Sequence, residues 1–186
     1  KWMGIDCGGF AVKRNGTFKT PLLPVEATHL KQRKEYYETG DGDVFWEGEL
    51  RLRQIFDSFA GDDNSEYILR HADFDSICKT RRENYAALLD ALTAPLHGVQ
   101  VVFPELPEAT VPSHFCLYAE NRDEFQQYLA DHQIHSTVYW PVGPLVHPLP
   151  DSSEQYIYDH IVSVPCDQRF TPSDMQYVAQ VLMDYS

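Results

Sequence analysis

Lys1 and the glycine pair Gly8-Gly9 are the first residues of the chain whose types could serve a reaction. A lysine amine attacks carbonyl carbons, and burial or neighbouring charge readily lowers its pKa. Glycine lets the backbone pass close to a ligand because it has no bulky side chain. Taken alone, Lys1 is also typical of an exposed lysine and Gly8-Gly9 of a turn before a strand, so both interpretations stay open.

The four cysteines do not have the spacing of a chemical site. Cys7, Cys78, Cys116 and Cys166 are spread so widely that no Cys-x-x-Cys pair exists for a zinc knuckle or a redox couple. We therefore expect reduced, buried thiols of a cytosolic protein.

The charge and hydropathy of the chain exclude several classes of partner. Its 186 residues include 15 Lys and Arg against 28 Asp and Glu, a net charge of −13, which argues against a nucleic-acid binder. No run approaches the roughly 20 apolar residues of a membrane helix, and no signal-peptide pattern opens the chain. We expect a cytoplasmic protein that binds neither nucleic acid nor membrane, with enough apolar residues for a core.

The elements that would position candidate residues follow from hydrophobic periodicity. The clearest helix begins near Asp73 and ends before Pro95. Further helices are predicted after Asn121, where a capping box is expected, and at Thr171-Pro172. The remaining predicted elements are helices near 29–39, 44–59 and 153–160, a loop over 61–65, and strands at 99–103, 114–119, 136–140 and 161–164. This pattern favours an α+β layer in which helices cover one face of a mostly antiparallel sheet.

Three blocks of the sequence have the order and spacing of one enzyme family. The first is Lys1 followed after six residues by Gly8-Gly9, the second is Arg81-Arg82-Glu83-Asn84-Tyr85, and the third combines Thr137-Val138-Tyr139-Trp140-Pro141 with Val164-Pro165-Cys166-Asp167-Gln168-Arg169-Phe170-Thr171. Together they resemble the carboxyl-terminal half of the DegT-type sugar aminotransferases, which are fold-type-I enzymes that use pyridoxal 5′-phosphate.

The resemblance implies a fold class between α/β and α+β. Residues 1–72 would be the remnant of a cofactor-binding large domain with linking helices. Residues 73–186 would be a carboxyl-terminal small domain with a mostly antiparallel sheet and helices on one face. The intact protein would be an aminotransferase acting on a keto-sugar nucleotide, with glutamate as amino donor, in a homodimer. The fragment alone would be inactive.

The resemblance also assigns residue roles. Lys1 would bind the cofactor aldehyde and move protons, and Gly8 and Gly9 would let the backbone approach the cofactor. Arg169 would bind the carboxylate of the amino donor through its planar donors, with a salt bridge to an acidic neighbour as the alternative.

Tyr139, Trp140 and His147 occupy a stretch that lies near the active-site mouth in the family. Family members often carry a histidine-aromatic-proline run where this chain has Tyr139, Trp140 and proline. Core packing is the alternative for Trp140, and an ordinary loop position is the alternative for His147. No metal ligands are predicted.

One segment departs from the family pattern. Where the family usually has an asparagine-aromatic-arginine motif for the cofactor phosphate of the partner subunit, this chain has Asp43-Val44-Phe45-Trp46-Glu47-Gly48-Glu49. Two alternatives to an enzyme therefore stay open: a non-catalytic homologue or ligand-binding module that keeps the fold, and a stand-alone α+β protein.

Overall fold

The computed structural model describes residue 5, residues 12–139 and residues 147–185. Contacts within the chain divide it into two units, Lys1–Ala72 and Asp73–Ser186. The assignment of these parts to a large and a small enzyme domain stays a prediction.

Within its described residues, the first unit contains three helices: α1 (Thr28–Thr39), α2 (Gly42–Arg53) and α3 (Asp63–His71). Helix α1 ends at Gly40, whose φ of 73° is the left-handed conformation that glycine adopts without strain. Asp41 then caps α2, because its side chain accepts a hydrogen bond of 2.9 Å from the Asp43 N–H. These two residues explain the sharp break between the helices.

The loop predicted over residues 61–65 is wrong in part, because helix α3 begins inside it. Asp62 caps this helix by accepting a hydrogen bond of 2.9 Å from the Ser65 N–H, so helical structure begins inside the predicted loop. An ion pair of 2.5 Å between Arg70 and Glu66 lies one turn apart on its exposed side. Among the described residues of this unit, none of the buried ones is apolar; they are His29, Gly48 and Ser65.

The second unit begins with the long helix α4 (Phe74–Ala91), which Asp73 caps through a hydrogen bond of 2.9 Å from the Ser76 N–H. Its start and length are as predicted. One face of α4 is buried, and the residues on it are Arg81, Asn84, Tyr85 and Leu88. Two of these four side chains are strongly polar, which is unusual for a buried helix face.

The described sheet has three antiparallel strands in the order β1 (Val99–Val101), β2 (His114–Ala119) and β3 (Ile161–Pro165). Strand β2 alternates as predicted, with Phe115, Leu117 and Ala119 buried. The strand predicted over 136–140 is reduced in the described part to one antiparallel bridge, in which Thr137 and Ser163 exchange two hydrogen bonds of 2.9 Å. The predicted strand at 99–103 ends early, at Val101.

The described part of this unit also contains three further helices: α5 (Arg122–Asp131), α6 (Ser153–His160) and α7 (Pro172–Asp184). The capping box predicted at Asn121 does not form, because its amide donates to the Glu124 carboxylate instead of capping the backbone. The predicted start of α7 at Thr171-Pro172 is confirmed, and a capping box forms there, since Thr171 and Asp174 each bond the other's main-chain N–H.

The core of the second unit lies between the sheet and helices α4, α5 and α7. Its largest members, all less than 2 % exposed or close to it, are Tyr85, Leu88, Phe115, Leu117, Phe125, Leu129, Val162, Val164, Met175 and Leu182. Helix α6 differs, because its Tyr156 packs on Tyr118 with ring centroids 5.2 Å apart, and Tyr118 alternates with the core-facing residues of β2.

Candidate functional site

The buried polar residues of α4 hold the turn between β3 and α7. The side-chain amide of Asn84 donates to the carbonyl oxygens of Asp167 and Phe170, each at 2.9 Å. Arg81, only 1 % exposed, donates through Nε to the Gln168 side chain at 2.7 Å. Helix α4 thus fixes the backbone of the turn and one of its side chains. This turn, residues 166–170, is called the β3–α7 turn below.

The same helix also holds the connection between β1 and β2. Arg82 donates to the carbonyl of Pro107 at 2.9 Å, and the Tyr85 hydroxyl donates to the carbonyl of Phe103 at 2.6 Å. Burial raises the pKa of Tyr85 to about 12, so the phenol stays protonated and keeps this donor. The block 81–85 that carries the family resemblance therefore anchors two loops.

Arg169 leaves the β3–α7 turn paired with Asp167. Its Nε and Nη2 donate to the two carboxylate oxygens at 2.9 and 2.8 Å, and its main-chain N–H adds a bond of 3.0 Å. The hydrogen bonds from Arg169 hold the pKa of Asp167 below its ordinary range, and those to Asp167 raise the pKa of Arg169. The salt bridge considered as the alternative for Arg169 is therefore present.

The exposure of the two partners differs sharply. The Arg169 side chain is 71 % exposed, whereas that of Asp167 is 11 % exposed. The guanidinium also lies over the ring of Phe170, with its carbon 5.6 Å from the centroid. The guanidinium of Arg169 is therefore exposed to solvent, whereas the carboxylate of Asp167 is largely buried beneath it.

Tyr139 lies near this pair. A hydrogen bond of 2.9 Å joins its hydroxyl to His114 Nε2, and the two rings meet edge-on with centroids 4.7 Å apart. Tyr139 also contributes to the raised pKa of Arg169 by electrostatic interaction. Two of the predicted site residues, Tyr139 and Arg169, thus interact electrostatically, whereas the direct contact of Tyr139 is with His114.

Of the other predicted site residues, His147 is the one that lies within the described part of the chain. Lys1, Gly8, Gly9 and Trp140 lie outside the described residues. His147 is exposed, and within residues 12–139 and 147–185 it makes no hydrogen bond or ring contact. Because every residue predicted to contact the cofactor is outside the described part, no described side chain tests whether the cofactor fits.

Three residues of the site were not singled out from the sequence: Asn84, Asp167 and His114. For Asn84 a signal exists, because it falls on the apolar face of α4, where an amide needs partners. For Asp167 the signal is its position two residues before Arg169, close enough for a local ion pair. Nothing in the sequence marks the pairing of His114 with Tyr139.

The segment that departs from the family motif lies in α2. Glu47 accepts a hydrogen bond of 3.2 Å from Gln32, and Glu49 pairs with Arg33. Both carboxylates are thus turned to α1. Through the ion pair with Glu49, Arg33 of α1 places a positive charge beside this segment.

The described cysteines are free thiols. Cys166 is buried, and burial raises its pKa to about 12 although Arg81 opposes the shift. Cys116 and Cys78 are partly buried, and Cys7 lies outside the described residues. No cluster of three or more His, Cys, Asp or Glu residues suited to a metal ion occurs within the described ranges. In that same part of the chain, no helix combines the length and apolar character needed to cross a bilayer.

Neither a protein-family model nor a curated protein sequence matches the chain significantly. Its fold is similar to several solved structures. DesV of S. venezuelae, solved in complex with a ketimine intermediate, matches with a TM-score of 0.56 and 18 % identity over 78 % of this chain and 45 % of DesV. The sugar aminotransferase CalS13 of Micromonospora echinospora matches with a TM-score of 0.53 and 19 % identity over 78 % of this chain and 46 % of CalS13.

A third structure, a DegT DnrJ EryC1 StrS aminotransferase of Brucella abortus, matches with a TM-score of 0.46 and 18 % identity over 77 % of this chain and 44 % of that one. The assignment of the fold rests on DesV and CalS13. The chain spans less than half the length of either protein. The resemblance expected from the three sequence blocks is thus confirmed as a likeness of fold to part of these chains.

Proposed function

We propose that the chain is the carboxyl-terminal part of a pyridoxal-phosphate-dependent aminotransferase acting on a keto-sugar nucleotide, with glutamate as amino donor. The observation that carries this proposal is the similarity of fold to DesV and CalS13, over most of this chain and under half of theirs. The three sequence blocks, found in the family's order, support it independently of the fold.

In this proposal residues 1–72 end the large domain and residues 73–186 form the small domain. Bound pyridoxal phosphate supplies an aldehyde for the donor amine and a ring that accepts electrons. Lys1 holds that group and carries a proton at the substrate carbon, because a lysine with a lowered pKa is both nucleophile and base. Gly8 and Gly9 let the backbone pass close to it.

The remaining proposed residues bind substrate. Arg169 hydrogen-bonds the carboxylate of the donor, and its 71 % exposed side chain supports that role because a ligand can reach it. Tyr139, Trp140 and His147 line the mouth of the site. The hydrogen bond between Tyr139 and His114 supports a fixed orientation for the phenol.

The proposed assembly is a homodimer in the cytoplasm, without nucleic-acid or membrane partners. The exposed apolar side chains of α2 support a covering partner for the first unit: Trp46 is 57 % exposed and Leu50, one turn later, 54 %. Because none of the described buried residues of this unit is apolar, the unit would gain stability from such a partner.

The experiment uses the intact polypeptide with pyridoxal phosphate. We expect a visible absorbance band from the bound group, and borohydride reduction should fix its mass on the peptide that contains Lys1. Glutamate and a keto-sugar nucleotide should then yield 2-oxoglutarate. A band and a mass label that persist after Lys1→Ala would overturn the lysine assignment, and the absence of amino transfer by cofactor-loaded protein would overturn the proposed reaction.

A second candidate is a homologue that binds ligand without turnover. The observation that favours it is the segment Asp43–Glu49, where Glu47 and Glu49 contact α1 and the asparagine and arginine of the family motif are missing. This candidate predicts intact protein that binds a sugar nucleotide but acquires neither the absorbance band nor the mass label at Lys1.

A further inference from the structure

The guanidinium of Arg169 is held from one side. Asp167 accepts hydrogen bonds from Nε and Nη2 at 2.9 and 2.8 Å, which is the side-on geometry of a bidentate pair. Among the described residues, none accepts a hydrogen bond from Nη1. A guanidinium has five N–H donors, and the pair uses two of them. The outer edge, formed by Nη1 and the second hydrogen of Nη2, therefore keeps two nearly parallel donors.

Asp167 is itself held in place by hydrogen bonds to its carbonyl and its carboxylate. Its carbonyl accepts the hydrogen bond of 2.9 Å from the buried amide of Asn84, and its carboxylate accepts the main-chain N–H of Arg169 at 3.0 Å. Arg81, which lies buried in α4, contributes to the lowered pKa of Asp167 by its positive charge. The carboxylate is thus a rigid, ionised support at the working pH of most proteins.

We propose that Asp167 is a positioning residue that orients Arg169 as an end-on clamp for a ligand carboxylate. The inference rests on the proposed function, in which that ligand is the amino donor. Two parallel donors match the two oxygens of a carboxylate, so the outer edge of Arg169 can bind it in bidentate fashion. Without Asp167 the long arginine side chain would sample many rotamers, and binding would have to restrict them.

The pair also determines how the ligand is attracted. Asp167 neutralises the net charge of Arg169, so the ligand carboxylate is held by directed hydrogen bonds rather than by long-range attraction. Affinity through the clamp should therefore depend only weakly on ionic strength, because screening acts mainly on separated net charges. Removal of Asp167 should loosen the clamp and, at the same time, make the remaining binding more sensitive to salt.

The test measures binding of glutarate, a dicarboxylate that cannot be transaminated, to the intact polypeptide by titration calorimetry. Asp167→Ala should weaken glutarate binding about tenfold, and Arg169→Ala at least as much. In a protein that already carries Arg169→Ala, Asp167→Ala should weaken glutarate binding no further, because a positioning residue acts only through its partner. Asp123→Ala is the matched control: Asp123 pairs with Arg122 at 3.7 Å on the surface, and its loss should leave affinity unchanged.

The proposal is overturned if Asp167→Ala leaves affinity unchanged, or weakens it equally with and without Arg169. Asp167→Asn and Arg169→Lys provide a second pair of variants where Asp167→Ala does not fold. Asn keeps an acceptor without charge and Lys keeps the charge without the planar donors, so each should weaken glutarate binding. A protein that transfers amino groups but does not bind glutarate through Arg169 refutes the clamp alone. A protein that binds glutarate through this pair but transfers no amino group refutes the proposed reaction alone.

Discussion

The side-chain amide of Asn84 donates a hydrogen bond of 2.9 Å to the main-chain carbonyl of Asp167, 83 residues further along the chain. The same amide reaches the carbonyl of Phe170 at 2.9 Å. One fully buried side chain thus joins the middle of α4 to both ends of a short turn. The geometry of Arg169 follows from this contact, since its carboxylate support is part of the turn.

Replacing Asn84 should therefore destabilise the protein strongly. Asn84→Ala leaves one buried and one partly buried carbonyl without their donor, and we expect a loss of about 3 kcal/mol in the free energy of unfolding. Urea unfolding monitored by circular dichroism measures it. Asn121→Ala is the control, because Asn121 is exposed and makes no cap, and it should change stability by less than about 0.5 kcal/mol. Equal effects of the two substitutions would contradict the anchoring role.

The end of α5 carries a strained residue whose replacement should stabilise the protein. Gln133 has a φ of 60°, while the N–H groups of Gln133 and Ile134 bond the carbonyls of Ala130 and Leu129 at 2.9 and 2.8 Å. This is the Schellman pattern, in which glycine is preferred. Gln133→Gly should raise the free energy of unfolding by about 1 kcal/mol.

Thermal unfolding of the unsubstituted protein, Gln133→Gly and Gln127→Gly tests this prediction. Gln127→Gly, within the same helix at an exposed position, should lower stability by about 1 kcal/mol because glycine is a poor helix former. Opposite signs for the two glycine substitutions are expected. A loss of stability in Gln133→Gly would show that the Gln133 side chain contributes more than its backbone strain costs.

Two glycines of α2 should respond differently to alanine. A Cβ atom at Gly48 would lie 3.3 Å from Gln32 Cβ and 3.4 Å from the His29 carbonyl, whereas one at Gly42 would have no neighbour within 4 Å. Gly48→Ala should lower the free energy of unfolding by about 1 kcal/mol because α1 and α2 must separate slightly. Gly42→Ala should be neutral or raise it by up to about 0.5 kcal/mol. The melting temperatures of the two variants, each compared with that of the unsubstituted protein, check these predictions. A stabilised Gly48→Ala variant would refute close packing of α1 on α2.

The capping box of α7 should make stability depend on acid pH. Hydrogen bonds from Thr171 hold the pKa of Asp174 below its ordinary value of 3.8. Because the folded-state pKa is lowered, the contribution of Asp174 is complete above the unfolded-state pKa and is lost as pH falls through the folded-state pKa. Asp174→Asn should therefore destabilise the protein near about pH 7 and destabilise it less at about pH 2.

Urea titrations at the two pH values measure this difference. Asp123→Asn, in the first turn of α5, is a control, because Asp123 has no capping partner among the described residues and its replacement should cost little at either pH. A destabilisation by Asp174→Asn that persists unchanged in acid would exclude ionisation of Asp174 as its cause.

Local sequence was sufficient to predict most elements of the second unit. The alternation of β2 and the Thr171-Pro172 start of α7 are local signals, and the structure follows both. Helix α3 is not predictable in this way, because its nine residues contain few apolar side chains at helical spacing and its Asp62 cap resembles an ordinary loop residue. Within the described residues, the strand predicted at 136–140 is limited to a single bridge to β3, because strand pairing is set by tertiary contacts as well as by local sequence.

The candidate site could be predicted only in part. The family resemblance indicates Arg169, and the excess of carboxylates favours its ion-pair alternative. The partnership of Asn84 with the β3–α7 turn was not predictable, because a hydrogen bond across 83 residues depends on how α4 packs on the sheet. The contact of Tyr139 with His114 depends on the same packing, since the two residues lie on different segments beside the sheet.

The anchoring of two loops to one helix has a consequence for motion. The β1–β2 connection and the β3–α7 turn are distant in sequence, but both are bonded to α4, through Tyr85 and Asn84 respectively. Their main-chain amides should therefore exchange hydrogen with solvent as one cooperative unit. Ligand bound at Arg169 would slow hydrogen exchange beside Arg169 and also near Phe103. Helix α4 would thus couple ligand binding at the β3–α7 turn to the edge strand β1.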